Sequence, residues 1–119
     1  MRINLTDEEE QLIEDYIYKT YLINVLEKDH QSIETLNFKL MEPYQHLVES
    51  TLKQLRLDIR DIKVKFRKLK AKVEGPEVVN VEFLEYKYFV RGYQGVKRIF
   101  MYHFRNEANK LLERYFLKK

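Results

Sequence analysis

Between positions 6 and 35 the apolar and aromatic residues recur at helical spacing. Leu12, Tyr16, Ile23, Leu26 and Ile33 form one stripe, with Lys19 and His30 in the vacant places of a 4,3 repeat. Tyr18, Tyr21, Leu22 and Val25 form a second stripe on a different face, so the middle of this helix is expected to touch at least two neighbours. Its start is marked by Thr6, whose hydroxyl can accept from a free backbone amide, and by Glu9 three residues later, which can reach back to complete a capping box.

Periodicity weakens from Asn37 to Glu42, and Pro43 suits the first turn of a second helix, where its missing amide proton is not needed. Val48, Leu52, Leu55, Ile59, Ile62, Phe66, Leu69 and Val73 then follow at 4,3,4,3,4,3,4, a seam of coiled-coil type that predicts a helix over 43–73 stopped by Gly75-Pro76. Ile62 to Phe66 also alternates with Lys63 and Lys65 as a strand would, but only for five residues, whereas the heptad runs through it.

Two helices of similar length joined by a short break are expected to pack antiparallel, Leu12 facing Leu69 and Ile33 facing Val48. This arrangement would set the acidic run Asp7, Glu8, Glu9, Glu10, Glu14 and Asp15 against the basic run Lys63, Lys65, Arg67, Lys68, Lys70 and Lys72.

Residues 77–95 change character, with Val79, Val81 and Phe83 alternating with polar residues and Tyr86, Tyr88 and Val90 alternating in the opposite phase. They read as a strand bulged near Leu84, or as two short strands, with helix as the alternative. Gly92 and Gly95 bracket a turn. A last helix is expected over 96–117, carrying Ile99, Phe100, Phe104, Ala108, Leu111, Leu112, Tyr115 and Phe116 on one face and ending at Lys118-Lys119. The expected fold is therefore mainly α: one domain over 1–119, a long antiparallel hairpin and a C-terminal helix in a three-helix bundle, with a possible short β element at about 78–91.

Composition narrows the chemistry. The 119 residues hold no cysteine, which excludes disulfides, thiolate metal sites and cysteine nucleophiles, and only three glycines and two prolines. The acidic start is unlike an export signal and no apolar run approaches a membrane span, so a cytoplasmic location without membrane contact is expected. No phosphate-cradling loop, paired-histidine helix or nucleophile elbow is present, and no enzymatic activity, cofactor or metal is expected. Glu27 and His30 have the spacing of a di-iron helix but no second copy, so His30 reads as a partly buried histidine with a hydrogen-bond partner. His103 with Glu107 reads as a surface pair.

Two basic regions remain. The run at 63–72 could hold a phosphate backbone, but the acids of the first helix would neutralise it in the expected hairpin, and the formal net charge is only +3. Residues 83–105 mix aromatics with bases. Phe83, Phe89, Phe100 and Phe104 read as core, which leaves Arg91, Tyr93, Lys97, Arg98, Tyr102 and Arg105 as the candidate partner-binding surface, since tyrosine and arginine dominate binding hot spots.

Glu-Pro-Tyr at 42–44, Glu85-Tyr86 with Arg91-Gly92-Tyr93, and His103 with Arg105-Asn106 resemble patterns in uncharacterised small proteins of low-GC Gram-positive bacteria and their prophages. The resemblance covers most of the chain and implies no activity. The function expected from the residues is a non-enzymatic protein interaction module, self-associating as a dimer and binding a further protein. Binding of nucleic acid by the basic and aromatic surface at 91–105 is the alternative.

Overall fold

The computed structural model describes residues 5–34 and 41–117. Three helices and a three-stranded antiparallel sheet follow in the order α1 (Asp7–Glu34), α2 (Met41–Leu69), β1 (Lys72–Val78), β2 (Phe83–Val90), β3 (Tyr93–Phe100) and α3 (Met101–Leu117). The strands lie in sequence order, β1-β2-β3. This α+β arrangement corrects the expected mainly-α three-helix bundle. The break over Asn37 to Leu40, residue 35 and Lys118-Lys119 lie outside the described residues, as does the side chain of Ile33 and with it the expected facing of Ile33 and Val48.

The hairpin of α1 and α2 is present and antiparallel. Its start is the predicted capping box: the Glu9 amide donates to Thr6 Oγ1 at 3.1 Å and the Thr6 amide donates to Glu9 Oε1 at 3.0 Å. Leu12 and Tyr16 pack on Ile59, Ile62 and Phe66, the Tyr16 and Phe66 rings 5.1 Å apart, while Leu22 and Leu26 pack on Val48, Leu52 and Leu55. The ion pairs Lys19–Asp58 (3.6 Å) and Glu27–Arg56 (2.9 Å) and the His30–Glu49 hydrogen bond (3.1 Å) continue the same antiparallel order along the outside.

The seam of α2 ends earlier than its spacing predicts. Lys70 takes a left-handed conformation (φ 51°), its amide donates to the Arg67 carbonyl, and the Ala71 amide donates to the Phe66 carbonyl at 2.8 Å. This is a Schellman cap with lysine in the glycine position, and Ala71 packs back on Phe66 as such caps require. Val73, the expected last seam residue, therefore stands on β1, yet it still packs against the cores that the seam feeds. Gly75-Pro76 lies within β1, where the register to β2 shifts between Glu74 and Glu77.

The extended region is larger than the expected element at 78–91. Asn80 Oδ1 accepts from the amides of Glu82 and Phe83 at 2.8 and 3.1 Å, making the turn before β2 and leaving Val81 exposed. The change of phase read as a bulge near Leu84 is this turn. Arg91 (φ 52°) and Gly92 (φ 83°) then form a two-residue hairpin turn of the primed kind, with Val90 paired to Tyr93. Gly95 lies inside β3 opposite Tyr88, so the expected helix over 96–117 begins only at Met101, and residues 96–100 are strand.

One face of the sheet, with Leu84, Tyr86, Val90 and Ile99, closes on Ile13, Ile17 and Phe104. Phe104 is fully buried between the rings of Tyr18 and Tyr21, at 4.8 and 4.6 Å. Helix α1 is thus enclosed by α2 on one side and by the sheet and α3 on another, as its two stripes require. Ile13 and Ile17, among its most buried residues, stand on neither predicted stripe.

Candidate interaction surface

The six candidate residues fall on three elements, Arg91 in the hairpin turn, Tyr93, Lys97 and Arg98 on β3, and Tyr102 and Arg105 on α3, and strand alternation separates the three on β3. On β3, Tyr93, Gly95, Lys97 and Ile99 share the face that meets the core, while Gln94, Val96, Arg98 and Phe100 point the other way. Lys97 accordingly reaches α1, where its Nζ donates to Glu14 Oε1 at 2.9 Å. Arg91, at the hairpin tip, donates to Glu9 Oε2, and its own amide donates to the Leu69 carbonyl at 3.2 Å. Both are fold-building bases. Glu9 is buried, and the Arg91 hydrogen bond, with that of the Thr6 amide, holds its carboxyl below the usual range against the effect of burial.

These pairs correct the expected electrostatics of the hairpin. Two of the six acids at the start of α1, Glu9 and Glu14, are bonded to bases of the β2–β3 hairpin, Arg91 and Lys97, rather than to the run 63–72. Among the described residues Lys63, Lys65, Arg67, Lys68 and Lys70 are exposed and make no ion pair, and Lys72 pairs with Glu74 at 3.1 Å.

Arg98, Tyr93, Tyr102 and Arg105 remain at the surface. Arg98 approaches Glu85 across the β2–β3 pair at 3.8 Å. Tyr93 and Tyr102 are 57% and 69% exposed, and the Tyr102 ring lies 6.3 Å from that of Phe100. Phe100 itself is 45% exposed, and its ring stands 5.6 Å from Phe83, its cross-strand partner. Of the four phenylalanines expected in the core only Phe104 is there. Phe83, Phe89 and Phe100 lie on the outward face with Val96, and none of these joins a core cluster. This outward aromatic row is the feature that sequence reasoning missed. Its signal was present in the three-residue spacing from Phe83 through Tyr86 to Phe89, which puts the two phenylalanines on one side of a strand and the tyrosine on the other.

The charged groups on this face carry both signs: Glu74, Glu77 and Glu85 beside Lys72, Lys87 and Arg98. Apolar side chains interleaved with charges of both signs can bury surface against a matching face.

A second concavity lies on the helical hairpin, a shallow cleft of about 290 Å³ lined by Glu27, His30, Gln31, Glu49, Leu52 and Arg56. His30 is part-exposed and hydrogen-bonded to Glu49 at 3.1 Å, as expected of a satisfied histidine, and Arg56 neutralises Glu27. Among the described residues no group of three histidine, aspartate or glutamate side chains could hold a metal ion. Nor is any helix among them long and apolar enough to cross a membrane.

Comparison with known proteins gives a family. Residues 4–119 match the family model described as YhjD protein. The chain is 29% identical over 112 residues to the uncharacterized protein YhjD of Bacillus subtilis strain 168, covering 94% of this chain and 92% of that protein. The match carries the low-GC Gram-positive part of the resemblance and says nothing of prophages. No solved structure matches. The chain belongs to the YhjD protein family.

Proposed function

We propose that the chain is a non-enzymatic protein interaction module whose outward sheet face docks on the same face of a second copy. The supporting observation is the group of Phe83, Phe100 and Tyr102, the last two 45% and 69% exposed, at the corner where β3 runs directly into α3, with Val96, 52% exposed, beyond the Glu85–Arg98 pair on the same face. Apolar side chains grouped in this way tend to mark an interface. A second copy fits because the flanking charges are of both signs, so a two-fold arrangement can set Glu85 of each chain near Arg98 or Lys87 of the other. The apolar excess of α1 and the long seam of α2, which by themselves suggest a dimer, are consumed inside the chain and lend no support. The face is small: strands of eight residues span about 27 Å and three strands only about 10–15 Å, well short of a standard interface, so affinity in the micromolar range is expected.

Nucleic acid binding at 91–105 draws on fewer residues than its sequence offers, because Arg91 and Lys97 are paired with α1 and only Arg98 and Arg105 stay outward.

Sedimentation equilibrium up to several hundred micromolar tests the proposal. The wild-type chain is expected to dimerise with a dissociation constant of about 10–100 µM, and Phe100→Ser with Tyr102→Ser to stay monomeric. A wild-type chain that stays monomeric throughout, or a variant that dimerises equally well, overturns it.

A further inference from the structure

The exposed flank of α2 carries a line of bases. Lys53, Arg56, Arg60, Lys63 and Arg67 follow one another at 3,4,3,4, each one position after a buried seam residue, Lys70 follows three further on at the cap after Leu69, and all six are exposed. At about 1.5 Å per residue the line is roughly 25 Å long, with a cation about every 5 Å. Residues 53–70 contain eight bases and two acids. One acid, Asp58, is turned inward and held by Tyr115, Gln54 and Lys19. Asp61 is the only acid left on the exposed surface of this segment. Among the described residues, Arg56 is the one base of the six in the line that forms an ion pair, with Glu27. Of the acids at the start of α1 expected to neutralise this run, Glu9 and Glu14 are engaged by Arg91 and Lys97, and among the described residues none of the six pairs with the line.

We propose that this line is a binding surface for the phosphate backbone of double-stranded nucleic acid. Cations spaced along a rigid helix, four of the five on α2 outside any ion pair among the described residues, suit a polyanion, because each phosphate neutralised releases condensed counterions. The choice of duplex follows from what surrounds the line. Single-stranded binding uses exposed aromatic rings for stacking, and between positions 53 and 70 the one aromatic residue, Phe66, is buried. An anionic membrane surface would draw on an apolar flank that can enter the headgroup region, and the exposed large apolar residue here is Val64 alone. Recognition is of backbone rather than sequence, since lysines and arginines held on an exposed helix flank read charge.

The test is fluorescence anisotropy with a labelled 20-base-pair DNA duplex, titrated with the full chain from 25 to 200 mM salt. Four to five contacted phosphates predict that log K falls against log salt with a slope of about −4. Arg60→Glu, Lys63→Glu and Arg67→Glu together are expected to weaken binding at least 100-fold at low salt. The glutamine triple variant at the same positions, a milder change whose fold is checked by circular dichroism, is expected to flatten the slope by about 2 to 3. Four results would overturn the proposal: no binding at 25 mM salt, binding unaffected by both triple variants, binding lost instead in Arg98→Glu with Arg105→Glu, or retention on phosphatidylserine vesicles without retention on duplex. The outcome is independent of self-association, which sedimentation reads separately.

Discussion

Arg91, at the tip of the β2–β3 hairpin, hydrogen-bonds the buried carboxylate of Glu9 in the first turn of α1, 82 positions away in sequence. The same carboxylate accepts the Thr6 amide through its other oxygen, and the Arg91 amide reaches the last residue of α2. One hairpin tip thus ties the start of the first helix to the end of the second. The side chain of Glu9 is 7% exposed and that of Arg91 42%, so the carboxylate bears most of the desolvation.

Removing the arginine is therefore expected to hurt more than neutralising the acid. Arg91→Ala leaves a buried charge without its guanidinium partner and held by Thr6, for a loss of about 2–3 kcal/mol, and Glu9→Gln keeps a hydrogen-bonding side chain, for about 1–2 kcal/mol. The folded state lowers the Glu9 pKa, so its contribution is present above the carboxyl's ordinary value and is lost as pH falls through the depressed one. Urea unfolding at pH 7 and at stepwise lower pH should show Glu9→Gln losing less stability towards acid than the wild type. Equal acid slopes would contradict the assignment.

Two glycines of the hairpin should respond differently to alanine. A Cβ on Gly95 would stand 2.4 Å from the Tyr88 ring, whereas one on Gly92 would meet nothing within 4 Å but would sit at φ 83°. Gly95→Ala is expected to cost about 1–3 kcal/mol by overpacking, and Gly92→Ala about 1 kcal/mol by backbone strain. A double-mutant cycle separates the causes: in a Tyr88→Ala background the Gly95→Ala penalty should largely vanish, and the Gly92→Ala penalty should persist.

Lys70 offers the opposite case. It occupies the left-handed position of the α2 cap at φ 51°, where a side chain is disfavoured and glycine is not. Lys70→Gly should raise the urea midpoint by the equivalent of about 0.5–1 kcal/mol without changing the slope of the transition. A loss of stability would mean that the lysine side chain matters more than its backbone.

That cap also explains where reading the chain as a string succeeded and failed. The capping box, the antiparallel hairpin and the apolar face of α3 from Phe104 to Phe116 are local patterns, each written within a few turns of helix. The end of α2 was not legible, because a lysine made the cap where a glycine is usual, and the heptad spacing reached Val73 although the backbone had already turned. The sheet was under-read for a related reason. Ile99 and Phe100 fit the spacing of the helix that follows them, and only their pairing with Leu84 and Phe83 shows them to be strand. The partners of the acids on α1 were hidden most deeply, since Arg91 and Lys97 lie more than 80 positions from Glu9 and Glu14. At the candidate surface, Arg98, Tyr102 and Arg105 were legible as exposed residues, but strand parity turned Lys97 inward and the hairpin turn carried Arg91 to Glu9.

The three helices meet at Asp58 of α2, which accepts from the Tyr115 hydroxyl of α3 and from Gln54 at 3.0 Å, with Lys19 of α1 at 3.6 Å. Burial alone would raise the Asp58 pKa, and the hydrogen bonds from Tyr115 and Gln54 together with Lys19 outweigh it and hold the carboxyl low. The tyrosine moves the other way, its pKa raised by burial and by the bond it donates to Asp58. Burial likewise pushes Tyr18 and Tyr86 up to about 12. A raised folded pKa means that stability is intact below the ordinary tyrosine value near 10 and declines as pH climbs above it. Absorbance titration at 295 nm should therefore leave these three of the nine tyrosines largely un-ionised at pH 11 while the chain stays folded. Tyr115→Phe should remove one of the three and cost about 1–2 kcal/mol at pH 7, because Asp58 loses a donor. It should also make stability fall less steeply above pH 10. A Tyr115→Phe variant with wild-type stability at pH 7 and an unchanged alkaline slope would show that α3 is held by its apolar face alone.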